Sequence, residues 1–306
     1  MGGVLEGFGV IGVVIGVGFL VAHLGIIGAE SQLLLARLVF FVASPALLFS
    51  VLSDVDAVAV LSSRLVVAVV SFVVVAVIAA TFARLVWHMS RGDATIATLC
   101  AAYVNSGNLG IPIAVYALDD ASAVASVMLF QMLIVSPVAF LLLDQDRAGR
   151  RLSVFKVVTI PFRNPITVGS LLGLLVAITG WQLPSAVVDP IDMIAGMAVP
   201  GMLIAYGVSL RLGPRPGNGA PSQQVAVATV LKLVLQPACA YGCGLLLGLE
   251  GNALMAVTVV AALPTAHNIF VHATRYGRSQ LLARDSIFVT TILSVPVVLL
   301  IVAALA

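Results

Sequence analysis

Charge is what this chain has least of. Only 9% of its 306 residues are Asp, Glu, Lys or Arg, while 61% are hydrophobic and the mean hydropathy is +1.17. Soluble domains carry roughly 25% charged residues. So few charges cannot solvate the surface of a globule this size, and the composition specifies an all-α polytopic membrane protein embedded in a lipid bilayer. The formal net charge of +2 is small and dispersed, which argues against a nucleic-acid partner. Cysteine is scarce as well. Cys100, Cys239 and Cys243 lie in apolar runs with no Cys-x-x-Cys or Cys/His ligand spacing, so no disulfide framework, metal site or other cofactor is expected. No basic residue precedes the first apolar stretch, whose one charge is Glu6, and a cleaved signal peptide is not expected.

What is present is a series of hydrophobic runs separated by short charged or Pro/Gly breaks. They give ten candidate transmembrane helices at about 4–22, 33–52, 63–87, 94–118, 121–143, 162–180, 187–210, 222–249, 252–276 and 279–304. Gly12 and Gly16 in the first have GxxxG spacing, read as close helix packing that also leaves room for a homodimer. The loop between spans 5 and 6 carries Arg147, Arg150, Arg151 and Lys156. Placing it inside puts Arg37, Arg84, Arg91, Arg163, Arg211, Arg215, Arg275, Arg278 and Arg284 on the same side and leaves Arg64 alone outside. The acidic residues Asp54, Asp56, Asp119, Asp120, Asp189 and Glu250 then mark outer ends. The positive-inside rule so predicts a protein of the cytoplasmic (inner) membrane with both termini outside.

Prolines reveal an internal repeat. Pro45 and Pro200 are 155 residues apart, Pro112 and Pro264 are 152 apart, and Pro137 and Pro296 are 159 apart. Three pairs at nearly one offset divide the chain into five-helix repeats at 1–150 and 151–306. Because five is odd, the repeats enter the membrane from opposite sides, the inverted arrangement of secondary transporters.

Spans 4 and 9 are both interrupted near their middles. Span 4 contains Asn105-Ser106-Gly107-Asn108-Leu109-Gly110-Ile111-Pro112, and span 9 contains Pro264-Thr265-Ala266-His267-Asn268. Backbone groups freed there cost several kcal/mol each unless protein, water or ligand satisfies them. If each span breaks near its proline, two half-helix N-termini face one another near the midplane. Their partial positive charge and unpaired N–H groups suit an anion, especially a carboxylate. The candidate substrate-binding residues are therefore Asn105, Ser106, Gly107, Asn108, Gly110 and Pro112 with Pro264, Thr265, His267 and Asn268. A proline kink tied by asparagines is the simpler alternative.

Four stretches carry a family resemblance: NSGNLGIP from Asn105 to Pro112, the spaced set Pro264, Asn268, Phe270, Ala273, Tyr276 and Gly277, SPALLF from Ser44 to Phe49, and VPGMLIAYGVSL from Val199 to Leu210. Together they resemble the auxin efflux carrier family, including its bacterial PIN-like members. The resemblance implies a carrier of small organic anions, a scaffold of helices 1, 2, 6 and 7, a transport domain of helices 3–5 and 8–10, and an elevator-type cycle. It also implies that the positions of Asn105, Pro112, Pro264 and Asn268 frame the substrate. The chain lacks the long cytosolic loop of typical plant members, having only about 144–161 there.

Lys232 is the one cation deep in a span, roughly 15 Å in at 1.5 Å per residue. With Gln236, Cys239 and Cys243 it forms a stripe on one helix face. It could be the counter-charge of a substrate carboxylate, a titrating group, or a fixed cation where related folds bind sodium, the role the resemblance favours; snorkelling to the inner surface competes with all three. Gln131 is either a ligand or a helix-to-helix hydrogen bond, and His267 either carries a proton or packs neutral. Every Asp and Glu falls at a loop or helix end on this map, so no buried carboxylate is expected for proton or sodium antiport. An inside-negative potential is worth about 2.3 kcal/mol per charge per 100 mV, about fifty-fold in gradient, enough to expel a monoanion without a coupling ion. The alternative is a sodium- or proton-coupled symporter of bile-acid-transporter-like fold. Catalysis is not expected, since Ser106 lies in N-S-G-N rather than G-x-S-x-G and no acid is positioned to orient His267.

Overall fold

The computed structural model describes residues 2–53, 63–110, 113–114, 121–148, 165–212 and 220–305. The expected inner-loop charges Arg150, Arg151, Lys156, Arg163 and Arg215 and the outer acids Asp54, Asp56, Asp119 and Asp120 lie outside these residues. Among the described residues every regular element is helical: α1 (Gly2–His23), α2 (Ala29–Leu38), α3 (Ser44–Ser53), α4 (Ser63–Thr81), α5 (Arg91–Ala102), α6 (Ala121–Phe130), α7 (Ser136–Ala148), α8 (Pro165–Thr179), α9 (Ser185–Ala195), α10 (Ala198–Leu212), α11 (Ser222–Val230), α12 (Gln236–Leu246), α13 (Gly251–Ala261), α14 (Asn268–Tyr276) and α15 (Gln280–Leu305).

Proline shapes several of these helices in the same way. Wide five-residue turns at Val39–Ala43, Gln131–Val135 and Leu231–Leu235 join α2 to α3, α6 to α7 and α11 to α12, and each ends two residues before Pro45, Pro137 or Pro237. A proline has no N–H for the carbonyl four residues back, so the N–H just before it reaches one residue further: Ser44 to Val39, Ser136 to Gln131 and Gln236 to Leu231. The extra residue rotates the helix face, and it is in two of these turns that Gln131 and Lys232 stand.

The distribution of side chains is that of a protein in hydrocarbon. Ser63–Val86, Ser185–Leu212, Ser222–Leu246 and Gln280–Leu305 are long and apolar enough to cross a bilayer. Val13, Phe41, Val77, Ile178, Leu246 and Leu300 are exposed, whereas Asn105, Gln131, Lys232, Gln236, Thr265 and Thr290 are buried. That inverts the usual soluble arrangement.

The helices pack as two groups. α1 lies along α10, α2 also packs on α10, and α3 packs against α8 and α9. The other group is α4–α7 with α11–α15, in which α4 packs on α5, α6 and α12, and α15 on α11, α13 and α14. Contacts between the groups are sparse and include the turn after α5 against α10 and α6 against α3. At one end of the second group Arg278 bridges Asp146 of α7 at 2.5 Å and Asp93 of α5 at 3.6 Å. Ser279 donates to Asp93 from both its N–H and its hydroxyl, at 3.0 and 2.9 Å.

Close approaches in the first group recur along the chain. A Cβ on Gly18 would lie 2.3 Å from the Ile204 carbonyl oxygen, and one on Gly173 would lie 2.5 Å from that of Phe49. Gly18 to Gly173 and Phe49 to Ile204 are both 155 positions, the offset of Pro45 and Pro200. Gly12 and Gly16 are not part of this packing: both face open space with nothing within 4 Å. The small residue that α1 turns inward is Gly18. Gly173→Val should therefore lower the thermal unfolding temperature of the purified protein, by overpacking worth about 1–3 kcal/mol. Gly16→Val should leave it unchanged; the reverse order would contradict this packing.

Candidate functional site

The two interrupted spans meet in the interior of the second group. α5 ends at Ala102, Tyr103 turns extended (φ −82°, ψ 113°), and Val104 pairs with Thr265 in an isolated antiparallel bridge. The Asn105 N–H donates to the Pro264 carbonyl at 2.8 Å, and the Ala266 N–H to the Tyr103 carbonyl at 3.2 Å. In such a pair the two central residues direct their own N–H and C=O away from each other.

Side chains take the place of the missing strands. With its amide oriented so that the oxygen meets the Val104 N–H, Gln131 accepts from that N–H at 2.8 Å and donates to the Val104 carbonyl at 3.1 Å and the Ser106 hydroxyl at 3.0 Å. On the other edge the Thr265 N–H donates to the Thr290 hydroxyl at 3.1 Å, while the Thr265 hydroxyl donates to the Cys100 carbonyl at 2.6 Å. Gln131 and Thr290 both come from the last long helical segment before the end of their half-chain, and they are 159 positions apart, as are Pro137 and Pro296.

The helix ends that stop at the bridge are satisfied by one side-chain pair. Lys232 has no exposed surface; its Nζ donates to the Gln236 side-chain oxygen at 2.5 Å and to the Ala261 carbonyl at 3.2 Å. The Gln236 amide nitrogen in turn donates to the Ala102 carbonyl at 2.9 Å. Ala261 and Ala102 are the last residues of α13 and α5, where the helix dipoles are negative. Snorkelling of Lys232 is thereby overturned, because its stem is held between packed helices and its ammonium is used inside.

The helix starts lie on the far side of the bridge. The Asn105 carbonyl accepts from the N–H groups of Leu109 and Gly110 at 3.3 and 3.0 Å, opening a new turn over Ser106–Gly110. α14 opens at Asn268, and the Asn105 side-chain nitrogen contacts His267 Nδ1 at 3.0 Å, linking the two starts. With the amide nitrogen as donor, Nδ1 is the acceptor and Nε2 carries the ring proton. Asn268 adjoins the Tyr103 hydroxyl, which is 3.1 Å from that of Ser136. Gly110 leaves room for Leu263, whose Cδ1 would lie 3.1 Å from an added Cβ, and a Cβ added at Gly107 would lie 3.7 Å from Met128 Cε. Pro112 and the side chain of Asn108 lie outside the described residues.

A narrow cleft with room for about one water molecule lies beside the bridge. Val104, Gln131, Gln236 and Ala261 line it, with Arg64 and Ser71 on one wall, and neither Asn105 nor His267 does.

The structure thus joins Asn105, Ser106, Pro264, Thr265 and His267 with Gln131, Lys232 and Gln236 in one network. Sequence reasoning missed Tyr103, Ser136 and Thr290, although the proline offset already pointed from Gln131 to Thr290. It also missed a buried acid: Asp285, in the second turn of α15, is only 3% exposed and accepts from Arg284 Nε at 2.7 Å. Its burial comes from tertiary packing around a helix start. The adjacent guanidinium compensates its charge.

Comparison with known proteins identifies the family. The family described as "Membrane transport protein" matches residues 9–302. A protein of Rhizobium meliloti named "Putative malonate transporter" is 30% identical over 292 residues, covering 92% of this chain and 89% of the relative. An "Uncharacterized transporter" of Methanothermobacter thermautotrophicus is 27% identical over 289 residues, covering 90% of each. "Auxin efflux carrier component 6" of Arabidopsis thaliana is 30% identical over 156 residues, covering 50% of this chain and 26% of the plant protein. The chain therefore belongs to the membrane transport protein family that includes the auxin efflux carriers.

Proposed function

We propose that this membrane transporter carries a small organic anion of the malonate class across the cytoplasmic membrane, with a carboxylate bound where the Ser106–Gly110 turn and α14 begin. The observation that carries the reading is the Asn105–His267 contact, which draws two helix starts together inside the membrane protein. Each start supplies N–H groups and a partial positive charge, and the amide and imidazole can turn donors toward a carboxylate oxygen. The Rhizobium meliloti relative supports the substrate class by its printed name alone, "Putative malonate transporter".

In this reading α1–α3 and α8–α10 form the scaffold, α4–α7 and α11–α15 the transport domain, and the two halves of the chain are inverted five-helix repeats. Dense packing within each group and sparse contact between them support an elevator-type displacement. The recurrence of the Gly18–Ile204 and Gly173–Phe49 approaches supports the repeat. The bond network supports a rigid crossover: Gln131 occupies both main-chain groups of Val104, so they do not compete for substrate.

The buried ammonium of Lys232 and the pairing of Asp285 with Arg284 favour transport without a coupling ion, driven by the membrane potential. In proteoliposomes, efflux of labelled malonate should rise with an imposed potential at equal pH and without sodium. Flux driven by a pH gradient or a sodium gradient alone would instead establish a coupled symporter. Separately, Gln131→Ala strands two buried backbone groups and should cost about 1–3 kcal/mol of stability, read as a lower unfolding temperature. An unchanged temperature would remove Gln131 from the frame.

A further inference from the structure

One buried charge in this molecule is only partly used. Arg284, in the second turn of α15, has a side chain 12% exposed and donates from Nε to Asp285 at 2.7 Å. Its Nη2 is shut off from solvent and, among the described residues, donates to nothing. A guanidinium stays charged in proteins and carries five donors in a planar fork. A buried charged donor without an acceptor is costly, and native structures reserve such exceptions for special places, among them those that a water or an ion completes.

The pairing with Asp285 leaves a defined edge. Because the carboxylate takes Nε alone, the two Nη groups remain side by side, the arrangement that meets two oxygens of a carboxylate or phosphate at once. The nearby start of α15 adds a partial positive charge. Arg278, by contrast, already meets two acids, Asp93 and Asp146. Thr290, which holds the Thr265 N–H at the bridge, lies six residues beyond Arg284 on the same helix, roughly 9 Å at 1.5 Å per residue.

We infer that the Nη edge of Arg284 is a binding site for an oxyanion with two free oxygens, either the phosphate of an anionic lipid headgroup or a carboxylate of the transported anion. Asp285 is its positioning residue: it holds Nε and leaves the fork open. Occupied, the site completes a buried cation on the helix that carries Thr290 to the bridge. It is separate from the contacts at Asn105 and His267 and does not rest on them.

Thermal unfolding of the purified full-length protein tests this. At constant ionic strength, inorganic phosphate and malonate are each compared with chloride, and nanodiscs of phosphatidylglycerol with nanodiscs of phosphatidylcholine. Wild type should unfold about 2–4 °C higher with at least one of these oxyanions, as expected for a ligand of the folded state. Stabilisation by phosphate or malonate identifies a free oxyanion, and stabilisation by phosphatidylglycerol alone identifies the lipid. Arg284→Lys keeps the charge but loses the fork, and should lose most of the shift. Asp285→Asn keeps an oxygen for Nε and removes a negative charge, so it should bind the same oxyanion several-fold more tightly. A wild type that responds to none of the three, an Arg284→Lys protein that responds as wild type does, or an Asp285→Asn protein that binds no more tightly overturns the inference. Malonate stabilisation that survives in Arg284→Lys and is lost in Asn105→Ala would belong to the crossover and leave the anion reading standing.

Discussion

Two helices that stop in the buried interior, at Ala102 and Ala261, set the terms for the rest of this molecule. Each break frees N–H and C=O groups that water cannot reach, and each group left unmet costs several kcal/mol. The protein meets the demand in three ways. The broken segments pair with one another at Val104 and Thr265, the side chains of Gln131 and Thr290 complete the outer edges, and Lys232 with Gln236 covers the two helix ends. In the proposed reading, the donors of the new helix starts that remain are the ones that meet the substrate.

Delivery of those side chains depends on proline at a distance from the crossover. Pro137 and Pro237 widen the turns before them, and the extra residue is what brings Gln131 and Lys232 round to the bridge. A straight α-helix would leave their faces displaced by about 100° per residue. Prolines therefore do two jobs in this chain: Pro264 stands at a break, and Pro137 and Pro237 re-aim the neighbouring helices that supply the repair.

Much of this was legible in the sequence, and the limits have physical causes. The helical membrane class and the interruptions after Ala102 and Ala261 follow from hydrophobic runs broken by Asn, Gly and Pro. Gln131 was left open between ligand and helix contact because its partner is the main chain of Val104, and main-chain partners leave no side-chain pattern. Gly12 and Gly16 have the spacing of a packing motif, yet Gly18 makes the approach, since spacing does not tell which face of a helix is turned inward. Asp285 looked like a helix-end charge and is buried, because neighbouring helices cover the start of α15.

The account stands or falls on whether the anion binds at the paired helix starts. Equilibrium binding of labelled malonate to the purified protein, compared between wild type and Asn105→Ala, tests this directly. Loss of one hydrogen bond to a charged oxygen should weaken binding about ten- to a hundredfold in a protein that still unfolds cooperatively, even though its unfolding temperature falls with the loss of the His267 contact. Equal affinity in a folded Asn105→Ala protein would contradict the account and move the substrate elsewhere.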